Sequence, residues 1–347
     1  MAAASSGPAI GHLAASFRRF SENECPGSSP LYGVLAAAIA QDPGLLALAQ
    51  RVRAGQPPVN MLFAAVYHQL LFGDTGHELA RYYPDMAARP EPVEGAFDAF
   101  RDFCRRYEIP ITDLIGRRVV STNEVQRCAC LMPAFRWVAS RYDAERLHLI
   151  EVGASAGFNL MWDHYAYDYG AAAPFVLRCD VKNGHGLDGG AALPAVGQRV
   201  GIDPFAIDIG DEEDRQWLRA LVWPEHTERA ERMRFLIDWM TDNRPDVIKG
   251  DGIEELARVI GGSDTNGQVC VFHSFVLNQF PPEAKARFHE RLRVLADERP
   301  VVRVAMEWDR TAGAVILDAE RHHAYDSDRT VLATCDAHGR WLDWAGA

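Results

Sequence analysis

The stretch richest in chemistry is Glu151-Val152-Gly153-Ala154-Ser155-Ala156-Gly157. Its residue types allow two readings. With the acid counted, a carboxylate precedes a turn of small residues, where backbone can approach a ligand and a helix N-terminus can offer unpaired N–H groups to an anion. Without it, Gly153-x-Ser155-x-Gly157 can hold Ser155 as a nucleophile on a sharp turn, with Asp318 as acid and His338 as base in that chain order. Elsewhere, Asn123, Glu124 and Arg127 gather an amide, a carboxylate and a guanidinium within one turn, where they can face a substrate. The same residues also fit a plainer role, because Ser121-x-x-Glu124 matches a capping box that starts a helix reaching Tyr142. His273 and Asn278 follow an apolar strand. There His273 can orient or deprotonate an acceptor, or simply be a hydrogen-bonded strand-end histidine. Tyr165, with Trp162, His164, Tyr167 and Tyr169, can pack an irregular segment or cap an aromatic or cationic group. His322-His323 beside Asp318 raises the question of a metal. Neighbouring side chains on a strand point apart, so no metal site is expected from that pair.

These residues need elements to position them. Leu147–Val152 reads as a strand feeding the small-residue turn, and Phe158–Trp162 can continue as a helix. Before it, from Leu13 to about Tyr142, the pattern is helical. Ser29-Pro30 opens one helix as N-cap and first position, and Pro57-Pro58 opens another that Gly73 ends. After residue 147 strands alternate with helices, which implies a largely parallel sheet. Phe175–Cys179, Arg199–Ile202, Asp246–Asp251, Val269–Phe272 and Val301–Met306 are the strand candidates. Ala314–Leu317, Thr330–Ala333 and Arg340–Leu342 close the chain. Helices are expected at 211–221, 227–240, 253–260 and 282–296. The expected division is a tail over 1–10, a helical domain over 11–145 and an α/β domain over 146–347.

A chain of 347 residues fits two domains. A formal net charge of −12 excludes a protein that wraps nucleic acid, since phosphate binding needs a basic surface. No apolar run approaches the ~18 residues of a spanning helix, and Met1–Gly7 lacks a basic leader, so neither membrane nor secretion is expected. Seven cysteines without a Cys-x-x-Cys pair read as reduced core residues and point to the cytoplasm.

Several segments, in order, resemble class I S-adenosylmethionine-dependent methyltransferases. The first strand ends in Glu151 and the loop Gly153, Ser155, Gly157. Gly201-Ile202-Asp203 looks like the second strand's acid-ended close, Gly250-Asp251 like the third, and Val269–Asn278 like the fourth with its short helix. The resemblance implies a Rossmann-like, mostly parallel sheet with an antiparallel C-terminal hairpin over 147–345. It implies S-adenosylmethionine held by Glu151, the loop, Asp203 at the ribose and Asp251 near adenine. His273 and Asn278 would lie beside the methyl group. Asn123, Glu124, Arg127 and Tyr165 would meet a small-molecule acceptor, and the helical domain would serve as a lid. Two departures stand out. Ser155 replaces the middle glycine, and the span from Gly157 to Asp203 is long, so an insertion lies there or Asp180 is the ribose acid. The hydrolase reading is disfavoured by the helices before residue 147 and by the lack of a His-Gly-Gly-type oxyanion loop. Failure of Gly-x-Gly-x-x-Gly sets a dinucleotide site aside. A domain of this kind can also bind a ligand or partner without chemistry. Thr122-Asn123-Glu124 with Arg127, Glu151–Gly157 and Leu221-Val222-Trp223-Pro224-Glu225 together resemble a bacterial family known only as a domain of unknown function (DUF2332). That likeness spans nearly the whole chain and implies the same layout, without a substrate.

Overall fold

The computed structural model describes residues 10–121, 124–168, 176–184, 187, 192–264, 266–323 and 326–345. The chain divides into two units, Met1–Thr122 with Asp208–Asp242, and Asn123–Ile207 with Asn243–Ala347. Their helices, in chain order, are α1 (Ile10–Asn23), α2 (Pro30–Ile39), α3 (Pro43–Ala49), α4 (Pro58–Phe72), α5 (Ala96–Arg106), α6 (Glu108–Arg117), α7 (Cys128–Arg141), α8 (Glu212–Ala220), α9 (Thr227–Asp242), α10 (Leu256–Gly261) and α11 (Pro282–Ala296). Among the described residues no single helix is long and apolar enough to cross a membrane.

The first unit holds α1–α6 with α8 and α9. The start of α2 shows why residues 208–242 belong with it. Pro30 takes the first helical position, and the Ser29 hydroxyl accepts the Tyr32 N–H at 3.1 Å. Glu225, from the second stretch, accepts the Ser29 hydroxyl proton at 2.7 Å and the Leu31 N–H at 2.9 Å. A carboxylate there satisfies orphan donors and faces the positive end of the helix dipole. Trp223 packs its ring 5.3 Å from Phe20 and 5.8 Å from Tyr32, and the Trp217 indole donates to the Val119 carbonyl at 2.8 Å. The expected boundary at residue 146 thus does not coincide with the division of the chain. Two helices expected beside the sheet group with the helical unit, and α7 groups with the sheet.

The second unit is a mixed α/β structure. Its strands are β1 (Arg146–Val152), β2 (Tyr167–Asp168), β3 (Leu177–Arg178), β4 (Asp180–Asn183), β5 (Ala195–Asp203), β6 (Asp246–Lys249), β7 (Gln268–Ser274), β8 (Val301–Asp309), β9 (Ala314–His322), β10 (Ser327–Cys335) and β11 (Trp341–Trp344). Nine form one sheet in the order β4-β11-β10-β9-β8-β7-β1-β5-β6, and β2 pairs with β3 apart from it. The run β6-β5-β1-β7-β8 is parallel throughout. From β8 through β11 each neighbour is antiparallel, so the close is a meander rather than one hairpin, and β4 adds to its far edge in parallel.

Alternation assigns the two faces. Ile150, Val152, Val200, Ile202, Val269 and Val271 pack under α10 and α11 in one core. Phe272, on the other face, meets Phe135 of α7 edge-on at 5.1 Å, and Trp162 lies 4.9 Å from the same ring. Fully burying such a side chain contributes roughly 1.5–3 kcal/mol. In the parallel run the first, second and third strands read outward to one side and the fourth and fifth to the other. The order therefore reverses between β1 and β7, where ligands of open α/β sheets bind at the strands' carboxyl ends. The long span after Gly157 is an insertion containing β2, β3 and β4. Phe175, in one strand expectation, and Tyr169, in the aromatic cluster, lie outside the described residues.

Candidate functional site

At the reversal point β1 ends in Glu151 and turns through Gly153–Gly157. Gly153 and Gly157 adopt φ of 75° and 76°, a region that glycine enters without strain. A Cβ on Gly153 would overlap Val276 Cγ2, and one on Gly157 would come within 2.7 Å of Pro245 Cγ. Both glycines are thus required by the protein's own packing. Ser155 has φ 52° and, on the neighbouring strand's end, Phe275 has φ 56°. Each costs on the order of 1–3 kcal/mol, and such strain gathers at ligand sites.

The loop is not the anion cradle its composition suggested. The Gly153 and Ala154 N–H groups both donate to the Ile202 carbonyl, at 2.8 and 3.4 Å, and the Gly157 N–H donates to the Ala154 carbonyl at 2.7 Å. The Ser155 N–H donates to Asp203 Oδ2 at 2.8 Å, while Asp203 Oδ1 takes the Phe205 N–H at 2.7 Å. Asp203 therefore braces the loop, and as a half-buried carboxylate it keeps lone pairs for further donors. Phe158–His164 is a 3-10 segment kinked at Met161 rather than an α-helix.

Glu151 is the unusual group. It is 2% exposed, its Oε1 accepts the Asn159 amide at 3.1 Å, and its Oε2 is buried without a hydrogen-bond partner. Burial raises its carboxyl to about 8, Asn159 and Arg127 pull it down, and the charge of Asp203 pushes it up. An acid carrying one unsatisfied oxygen at a switch point is matched by a ligand bringing a cation or a donor. Ser155 Oγ is likewise buried without a partner. No base touches it. Asp318 is instead bound to Arg303 at 2.6 Å and to Arg329 at 2.6 Å, and His338 lies 3.8 Å from Glu124. The Ser155–Asp318–His338 triad is therefore not assembled.

Arg127 is brought to the same end of the sheet. Its guanidinium lies 4.4 Å over the Phe275 ring, donates to Ser274 Oγ at 3.2 Å and to the Ala337 carbonyl at 2.9 Å, and lowers the Glu151 carboxyl electrostatically. Glu124, not Ser121, caps the turn that leads into α7, accepting the Gln126 N–H at 3.1 Å. Asn123 lies outside the described residues. Tyr165 is buried, its hydroxyl donating to the Phe158 carbonyl at 2.7 Å, which makes it packing for the loop.

Three further expected site residues stand as follows. His273 is fully buried on the opposite, α11-facing side, with Nδ1 2.7 Å from Glu307 Oε1, Nε2 3.5 Å from Arg303 and its ring against Phe288. Burial pushes its imidazole below the usual histidine value, and its place on the other face, paired with Glu307, keeps it away from the loop. Asn278 is exposed; its backbone N–H, with those of Val276 and Leu277, donates to Glu307. Asp251 is exposed and caps the turn before α10, accepting the Ile253 and Glu254 N–H groups at 2.8 and 3.2 Å. Asp180 starts β4 at the far edge of the sheet, so Asp203 is the acid that ends the second parallel strand. Asn159 and Cys128, whose Sγ lies 3.2 Å from Asn159 Oδ1, were missed because no spacing marks them. A cavity of about 590 Å³, lined by Trp137, Glu145 and Leu193 among others, opens at the amino end of β1, away from this loop.

The family described as "Uncharacterized protein conserved in bacteria (DUF2332)" matches residues 14–344. The chain belongs to this family. For DUF2332 that match covers both units, including the α8–α9 stretch and the Glu151 loop. No curated protein matches the chain.

Proposed function

We propose that this DUF2332 protein is a class I-like, S-adenosylmethionine-dependent methyltransferase acting on a small-molecule acceptor. The observation that carries the reading is the half-satisfied carboxylate of Glu151, buried at the sheet's reversal point beside Asp203. The donor set fits the cofactor's chemistry. Two acids and no open row of loop amides suit a ligand that is cationic and rich in hydroxyls, and they disfavour a phosphorylated one. Glu151 would take a cationic or donor group of the ligand, and Asp203 its ribose hydroxyls. When bound, S-adenosylmethionine supplies an electrophilic methyl group. The chain's share is to bind, align and exclude water, and alignment alone can provide much of an in-line displacement's acceleration. Ser155 and Phe275, held in strained conformations, keep the loop and the β7 end in one shape for that purpose. Titration calorimetry with S-adenosylmethionine and S-adenosylhomocysteine tests the reading. Micromolar-range heat from either supports it, and no heat from both, with the protein folded, overturns it.

Binding without turnover is the second reading. It is favoured by His273, whose burial and pairing leave the loop without that base. It requires tight cofactor binding with no methylated product from any acceptor in a cell extract.

A further inference from the structure

We propose that His289, Glu320 and His322 form a binding site for a zinc-class divalent cation, on the face of the sheet opposite the Glu151 loop. Glu320 and His322 stand two apart on β9 and so point to the same side. They lie opposite Arg303 and Val301 of β8, and Val301 belongs to the core under α11. His289 comes from α11, next to the buried Phe288. Glu320 Oε2 is 4.0 Å from His289 Nδ1 and 3.8 Å from His322 Nε2, and the three donor atoms all lie within 4.8 Å of one another. Tetrahedral zinc with bonds of about 2.0–2.1 Å sets its ligand atoms roughly 3.3 Å apart. Small side-chain rotations close that difference.

Independent features point to a ligand here. His322 is 3% exposed, yet its Nε2 has no hydrogen-bond partner, an imidazole nitrogen held ready inside the protein. The carboxylate is already oriented. Arg303 Nε donates to Glu320 Oε2 at 3.0 Å and the Ser327 hydroxyl to Oε1 at 2.6 Å, the outer-shell support that fixes a ligating group. The nearby arginine charges are already paired, buried Arg303 with Asp318 and Glu320 and half-exposed Arg329 with Asp318. Two imidazoles with one carboxylate select zinc over magnesium or calcium, which take oxygen donors. His289 is half-exposed, which leaves the fourth position open to water. The bound ion would cross-link α11 to β9.

The test uses Zn2+ alone in calorimetry, and Co2+ as a spectroscopic probe, on metal-stripped full-length protein. One ion per chain and intense tetrahedral cobalt bands are expected. His289→Ala, at a half-exposed position, should weaken binding at least about 100-fold, while exposed His323→Ala should leave it unchanged. Weak, octahedral-type cobalt absorption, or equal affinity in His289→Ala, overturns the proposal. Should His289→Ala not fold, diethyl pyrocarbonate mapping of the wild type decides. Zinc must protect His289 from modification, and modification that zinc does not slow overturns the site. Neither readout depends on S-adenosylmethionine, so failure here and failure of the methyltransferase reading are separate results.

Discussion

Replacing Glu151 by Gln separates what this side chain costs in stability from what it gives in binding. Burial lifts its carboxyl from an ordinary 4.5 to about 8. A folded-state value above the unfolded one means that the native protein retains a proton the unfolded chain has lost, so stability falls as pH rises. The penalty is absent below 4.5, accumulates between 4.5 and about 8, and is complete above that. At about 1.4 kcal/mol per pH unit, it comes to roughly 1 kcal/mol at about pH 5, roughly 3 at about pH 7 and roughly 5 at about pH 9. Glutamine does not titrate, and its carbonyl can keep the Asn159 bond. Glu151→Gln should therefore be more stable than wild type, by a margin that widens with pH, while calorimetric binding of S-adenosylmethionine is lost. Urea unfolding of both proteins at about pH 5, 7 and 9 measures the margin. A difference that stays constant with pH, or a variant less stable at about pH 9, refutes the burial argument.

Cation binding beside Glu151 should expel its proton, so at about pH 7 binding heats should vary with buffer ionisation enthalpy by close to one proton; buffer-independent heats would count against that contact. Asp203→Ala should weaken cofactor binding by at least about tenfold and loosen the loop by about 1–3 kcal/mol, since two backbone N–H groups lose their acceptor. Asp180→Ala, at the far sheet edge, should change neither, as calorimetry and thermal melts will report. Gly153→Ala should cost about 2 kcal/mol or more through its positive φ and the overlap with Val276, and Val276→Ala in the same chain should recover only the overlap part. All seven cysteines are buried, and burial pushes even Cys25 up to about 12, so Ellman's reagent should react slowly with native protein and quickly with seven thiols in denaturant.

Local chemistry made much of the fold legible. Ser29-Pro30 and Pro57-Pro58 mark helix starts that the structure reproduces, and the apolar runs at 147–152, 269–272 and 301–306 are central strands. The acid and small-residue turn after the first strand correctly located the carboxyl edge at the sheet's reversal. Contacts distant in sequence were not legible. Glu225 caps a helix more than 190 residues earlier, and no periodicity announces that. His322 has His323 as its chain neighbour, whereas across space its ring lies 6.3 Å from that of His289. Hydrogen-bond accounting was equally hidden. Only the folded chain spends the loop amides on Ile202 and Asp203, and turns His273 toward Glu307 rather than the loop.

The bond from Glu225 to the start of α2 also sets an order of events during synthesis. The ribosome completes α1–α6 long before it makes the residues that seal Ser29 and Leu31 and supply Trp217 and Trp223. Between them it must release α7, β1 and β5, whose own sheet awaits strands made at the very end. Neither unit can close on its own stretch of nascent chain. The N-terminal helices must wait, with apolar surface uncovered, for about 100 residues, a delay of several seconds at bacterial rates. Such a chain is one that a holding chaperone would meet early, and stalling translation before residue 208 should leave it aggregation-prone.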